Sequence, residues 1–360
     1  MRNVFMLITA CLFMFSCSND EVSAPQADNG ELGSVTFDIS AVNQLSTGVK
    51  GGPLYSQEAT QHVTRVTIYA FKDNGSGYMF VKSYDVSGWT DGMTFKRFSV
   101  PTDNQLSAGT YKFLAVGRDA SDLFNVTNPA VGTTSYSTMM ATIQNSGDES
   151  EIFAGSADAE VMPEGQGTRV SIEMTRKIAG VLGYFKNVPQ EMNNKTVRYL
   201  RLTASNSNQQ VNLTTGTGVN SNVVSYNIIN MDLGGQQVSG GLYVGNDLSG
   251  QGVQKVPNSQ LAGAFFMPVS GITLTLGLYD TNGDPVKTWS VKDASNGNSD
   301  IFTITANHFY SLGMKKQAGN TTGGTSDPGD ADDPIDLLTD QDIVVTISPD
   351  WSAIHNLVIQ

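Results

Sequence analysis

The sequence predicts an all-β fold of two tandem antiparallel β-sandwiches with Greek-key connections, and three observations carry that reading. The dominant hydrophobic period is two, the period of a strand with one face buried. Turn signals such as Asp73-Asn74-Gly75 and Asn282-Gly283-Asp284-Pro285 separate the alternating runs. No stretch has helical periodicity with caps. The length of 360 residues suits about two domains.

The alternation is clearest in three places. In Ser34–Ser40 (SVTFDIS), Val35, Phe37 and Ile39 face one way and Thr36, Asp38 and Ser40 the other. In Thr168–Thr175 (TRVSIEMT), Val170, Ile172 and Met174 oppose Arg169, Ser171 and Glu173. In Ile272–Tyr279 (ITLTLGLY), Ile272, Leu274, Leu276 and Leu278 share a face. Further strands are expected at Val63–Phe71, Tyr78–Tyr84, Thr94–Val100, Thr110–Val116, Ile178–Phe185, Val197–Thr203, Val223–Ile229, Val286–Val291 and Ile301–Thr305. Residues 119–150 read as a long loop or a short helix. The first sandwich is expected over residues 34–180 and the second over 181–360.

The two ends differ from the body. Val4–Phe15 (VFMLITACLFMF) is an apolar run behind Arg2, of signal-peptide length and too short to span a bilayer. Ser16-Cys17 follows, which resembles a bacterial lipoprotein signal over residues 1–16 with Cys17 as the acylated first residue; Ile8-Thr9-Ala10-Cys11 is the alternative, but it leaves only a short apolar run upstream. Residues 17–33 are polar and rich in Asp, Asn, Ala and Gly, the composition of a flexible tether. At the other end, residues 317–341 form a polar, acidic linker. Beyond it stands a β-branched strand, Ile343–Ser348, followed by Trp351 and closing the chain as segment 342–360. Apolar strand sequence behind a linker must be covered by its own domain or by another molecule.

Composition excludes several functions. The formal net charge is −13 with no basic run, which opposes nucleic-acid binding. The two cysteines, Cys11 and Cys17, both precede the body, so it carries neither disulfide framework nor thiolate metal site. His62, His308 and His355 are far apart, and no nucleophile elbow, phosphate loop or dinucleotide fingerprint occurs. The acids at Asp327, Asp330, Asp332, Asp333 and Asp336 lack calcium-loop order. No cofactor, metal or catalytic residue is expected, and the chain does not read as an enzyme. Trp89, Trp289 and Trp351 are expected in cores.

Several motifs in order resemble the fimbrillin superfamily, the subunits of type V pili in Bacteroidota. They are the Cys17 signal with acidic Asp20-Glu21 behind it, the early strand Ser34–Ser40, and Ser46-Thr47-Gly48-Val49-Lys50. Val63–Phe71 (VTRVTIYAF), Glu151–Gly155 (EIFAG), Val170–Ala179 (VSIEMTRKIA) and the terminal strand with Trp351 complete the series. The resemblance implies two transthyretin-like sandwiches in a row, placement at the outer membrane by lipid, and assembly by donor-strand exchange. A trypsin-like protease would cut after Lys50, where family members often carry Arg, and release the strand of Val35, Phe37 and Ile39. The donor strand would be Ile343, Val344, Val345 and Ile347, with Trp351 as its anchor. Partners would be other pilus subunits and a host or bacterial surface ligand. The same signal and sandwiches also suit a surface glycan-binding lipoprotein of a polysaccharide-uptake system, which would show aromatic side chains on an exposed face.

Overall fold

The computed structural model describes residues 35–41, 62–119, 123–143, 149–163, 166–219, 223–251, 253–293, 296–315, 332–340, 342–349 and 351. Its regular elements are strands, with three short 3-10 turns.

Nine strands belong to the first half: β1 (Val35–Ala41), β2 (Arg65–Asp73), β3 (Tyr78–Asp85), β4 (Phe95–Ser99), β5 (Gly109–Arg118), β6 (Phe124–Val126), β7 (Met140–Ile143), β8 (Ile152–Val161) and β9 (Thr168–Arg176). One sheet has the order β3-β2-β5-β8 and the other β9-β1-β4, and they join where Phe153 and Ala154 of β8 meet Arg176 and Thr175 of β9. That corner needs glycine. A Cβ on Gly155 would lie 1.9 Å from the Glu173 carbonyl oxygen. The inner faces of both sheets close one core, with Phe37, Ile68, Phe113, Phe153 and Ile172 at or near zero exposure. The Asp73-Asn74-Gly75 turn lies between β2 and β3 as the sequence predicts, with Gly75 at φ +84°.

The second half adds β10 (Ala179–Lys186), β11 (Tyr199–Ser207), β12 (Gln210–Asn212), β13 (Val223–Asp232), β14 (Ser259–Phe266), β15 (Leu274–Tyr279), β16 (Pro285–Asp293), β17 (Phe309–Leu312) and β18 (Ile343–Ser348), besides shorter pairings. Its two sheets have the orders β13-β11-β15-β16 and β17-β10-β14, and β18 joins them. Leu200, Leu202, Leu276, Leu278, Phe266 and Val291 fill the space between.

Three departures from the sequence reading have physical causes. β8 and β14 are long strands that alternation does not announce, because Ala and Gly replace the branched side chains that mark strands. The alternating run Ile272–Tyr279 is broken at Thr273: Val269–Ile272 pairs with Phe302–Ile304 instead, across a bulge at Gly271 (φ +69°). Within residues 119–150, β6, a 3-10 turn at Tyr136–Thr138 and β7 replace the expected loop or helix. β7 pairs with β12 through Ala141 and Val211, and a third apolar cluster forms there between the two sandwiches.

Of the acidic linker, residues 332–340 pack against the second sandwich. Asp332 forms a 2.9 Å ion pair with Lys315, both side chains at 0% exposure, and Ile335-Asp336 pairs with Phe185-Lys186. A buried cation on the body captures this end of the acidic stretch, which composition alone presents as solvated.

Candidate functional site: the first and last strands

β1 is a central strand, although it lies at the start of the described chain. It runs parallel to β9 along its whole length, from Val35 opposite Thr168 to Ala41 opposite Met174. On its other side it is antiparallel to β4, from Thr36 opposite Ser99 to Ser40 opposite Phe95. Val35, Phe37, Ile39 and Ala41 reach the core, each at most 3% exposed. Phe37 meets Phe113 edge-on, with ring centroids 5.0 Å apart.

The opposite face of β1 holds a feature that alternation conceals. Asp38 is read from sequence as a wet-face residue, yet it is only 8% exposed. Arg97 Nε of β4 donates to its Oδ1 at 2.8 Å, and Arg169 Nε of β9 donates to its Oδ2 at 2.5 Å. One carboxylate thus ties β1 to both neighbours. Burial pushes the Asp38 carboxyl up, but the hydrogen bonds and charges of the two arginines outweigh it and hold it below its ordinary value near 3.8. A depressed folded value means that this stabilisation is present above the unfolded value and lost as pH falls through the folded one. The urea midpoint of the wild-type chain therefore drops more between pH 6 and pH 3 than that of Asp38→Asn; equal drops would show that the clamp adds nothing.

β18 crosses between two sheets. Ile343, Val344 and Val345 run parallel to Val291, Lys292 and Asp293 of β16. Thr346, Ile347 and Ser348 then run antiparallel to Ser311, Tyr310 and Phe309 of β17. Ile343 and Val345 are buried at 0% and 1%, while Val344 and Ile347 are half-buried.

Trp351 ends the described chain at 0% exposure. Its backbone N–H donates to the Asn307 carbonyl at 2.6 Å. Its ring packs edge-on against Phe309 at 5.0 Å and covers the Arg176 guanidinium, 4.1 Å from the ring centroid. A Cβ on Gly180 would stand 2.6 Å from that ring, so glycine makes the room. Arg176 closes β9 and is itself fully buried, bonded to Glu151 at 2.9 Å and lying over Phe153. Burial pushes Arg176 below its ordinary value, against Glu151, which raises it. Trp351 therefore joins the two sandwiches through a residue of each. Replacing Glu151 by Gln removes the carboxylate charge that faces the buried Arg176 and is expected to lower stability by about 3–5 kcal/mol, read by urea unfolding.

The structure keeps the two sequence-predicted segments apart, β1 in the first sandwich and β18 in the second. Cys17 and Lys50 lie outside the described residues, as do residues 352–360. Trp89, Trp289 and Trp351 are 5%, 6% and 0% exposed, so none is a surface platform. Among the described residues no group of three or more His, Cys, Asp or Glu is placed to hold a metal ion, and no helix is long and apolar enough to cross a membrane. An open groove of about 720 Å³ runs between residues 235 and 258, with Gln236, Gln237, Asp247 and Lys255 among its polar lining; none of its described lining residues is aromatic.

The described residues form an all-β, sandwich-like fold in which β1 and β18 are each paired on both edges. The sequence matches the model of the fimbrillin-A associated anchor proteins Mfa1 and Mfa2 over residues 34–355, and the chain belongs to that family. No curated protein matches it. Solved structures that resemble it include the fimbrial anchor protein Mfa2 from Porphyromonas gingivalis, at 14% identity and TM-score 0.43 over 88% of this chain and 97% of that one. A protein from Bacteroides ovatus described as an adhesin matches at 16% identity and TM-score 0.45, over 71% and 76%. A Bacteroides thetaiotaomicron protein described as polysaccharide-binding matches at 13% identity and TM-score 0.46, over 80% and 94%. The family assignment rests on the sequence match, not on these distant likenesses.

Proposed function

We propose that this chain is a cell-surface fimbrial subunit, made as a lipoprotein acylated at Cys17, that joins its neighbours by strand exchange. A trypsin-like protease cuts after Lys50 and frees β1, and a neighbour's strand takes its slot. The chain's own C-terminal strand, with Ile343, Val345 and Ile347 on one face and Val344 on the other, is the candidate donor. The single observation that supports the reading is the seat of β1. A strand paired on both edges and filling a core with Val35, Phe37 and Ile39 leaves, on departure, two open ladders and a row of apolar pockets. A donated strand would restore both. Such a joint is head-to-tail and extends into a filament.

Donation has a cost. Freeing β18 and Trp351 exposes three fully buried side chains, roughly 5–9 kcal/mol of apolar burial, which the neighbour's slot must return.

A second reading is favoured by the Asp38 clamp, which fastens β1 to both neighbours. Here β1 is never released, the lipid stays on Cys17, and the subunit sits at the membrane end of the filament, using only its C-terminal strand. Mass spectrometry of the mature protein from the native surface separates the two. An N-terminus at Gly51 supports the processed subunit, and an acylated Cys17 with β1 attached supports the anchor. A glycan-binding role has less support, since the tryptophans are buried and the open groove has no aromatic lining.

A further inference from the structure

The slot of β1 has a cationic position at Asp38. Arg97 and Arg169 belong to β4 and β9, which remain when β1 leaves. Both converge on Asp38 from opposite sides. The position is fixed in register, because Arg97 is the direct cross-strand partner of Asp38, and Arg169 pairs with Thr36, two residues before it. On the same face Thr36 Oγ1 lies 3.3 Å from Ser99 Oγ, and Ser40 is in register with Glu173. Guanidinium groups match a carboxylate in shape and charge, so this point favours Asp or Glu. A neutral side chain there would forgo the charge-assisted hydrogen bonds that both arginines make to Asp38.

This chain's own C-terminal strand does not meet the requirement. Place Val345 in the Phe37 pocket, so that Ile343 and Ile347 occupy the flanking core positions. The residue facing the arginines is then Thr346 if the strand runs as β1 does, and Val344 if it runs the other way. Neither is charged. In the direction of β1, Asp342 reaches the clamp only in a register that puts Gln341 into the Phe37 pocket and Thr339 into that of Val35; in the other direction it does so with Ile343 in the Phe37 pocket and Gln341 in that of Ile39. The first register gives up two apolar pockets for one charge, and the second gives up the Ile39 pocket.

We propose that the β1 slot is an acid-selective strand site, which takes a strand from a different subunit carrying Asp or Glu between two apolar side chains that fill the Phe37 and Ile39 pockets, and which disfavours this chain's own C-terminal strand. The inference rests on the strand-exchange reading above. It makes the subunit hetero-assembling: its C-terminal strand suits a neighbour whose slot lacks this clamp, and a second copy is not that neighbour.

The test uses the chain without its first 17 residues, with the recognition sequence of a specific protease inserted behind Lys50. After cutting, fluorescent peptides compete for the slot. They are Ser34–Ala41, the same peptide with Asp38→Asn, Asp342–Ser348, and the latter with Thr346→Asp. The β1 peptide is expected to bind, and Asp38→Asn to bind about ten-fold more weakly, a difference of about 1.4 kcal/mol. Asp342–Ser348 is expected to bind poorly and to gain about ten-fold from Thr346→Asp. In the Arg97→Met, Arg169→Met chain these differences are expected to vanish. Equal binding of the β1, Asp38→Asn and Asp342–Ser348 peptides to the wild-type slot would overturn the selectivity while leaving strand exchange intact. Failure of every peptide, β1 included, would overturn the strand-exchange reading and the selectivity with it.

Discussion

Replacing Trp351 by alanine is expected to lower the stability of the chain by about 3–5 kcal/mol, a large effect for a residue so near the C-terminus. The indole is fully buried between Phe309 and the Arg176 guanidinium. Its loss leaves a cavity and uncovers the Arg176–Glu151 pair, whose charges are tolerable only while the pair stays complete and covered. Because Arg176 closes β9 and Phe309 opens β17, the damage falls on the junction of the two sandwiches. Urea unfolding is expected to be a single transition in the wild type and to separate into two in Trp351→Ala. Trp351→Phe keeps a ring over the guanidinium and is expected to recover part of the loss. A change below about 1 kcal/mol, the level of an ordinary surface substitution, would mean that the indole is not seated in this junction.

Removing β1 has a larger effect still. A chain starting at Gly51 loses the burial of Val35, Phe37, Ile39 and Ala41, roughly 5–9 kcal/mol by area. That is comparable with the whole stability of an average domain, about 5–15 kcal/mol. The edges of β4 and β9 that β1 covered lie open in this chain. The truncated protein is expected to leave the monomer peak in size-exclusion chromatography and to return to it when the Ser34–Ala41 peptide is added. A truncated chain that stays monomeric, with unchanged stability, would show that β1 is dispensable to the sandwich.

Much of the fold is legible because period-two alternation is a local property. Val35, Phe37 and Ile39 announce a strand face without knowledge of what covers it, and Val170, Ile172 and Met174 do the same. β8 is hidden because its Ala and Gly serve a close approach to the Glu173 backbone, a tertiary demand. The site was half legible. Ile343–Ser348 is recognisable as a strand in need of cover, but which molecule covers it depends on contacts with β16 and β17, some fifty and forty residues earlier. Asp38 was misplaced on a wet face because its partners stand 59 and 131 residues away. Arg176 carried no signal as a buried cation, since a charge inside the fold is set by three-dimensional partners, here Glu151, Phe153 and Trp351.

The central claim is that β1 gives up its place to a neighbouring subunit, and a reversible lock tests it most directly. Thr36 and Ser99 face each other across β1 and β4 with their hydroxyls 3.3 Å apart. A Thr36→Cys, Ser99→Cys pair is placed to form a disulfide, and the body contains no other cysteine to interfere. Fimbriae from cells producing this variant would be scored for its incorporation, with and without reductant. Strand exchange at β1 predicts that the oxidised variant is left out of the filament in which its slot is used and enters it once reduced. Equal incorporation in both states would contradict the account and leave β1 a permanent strand of an anchor.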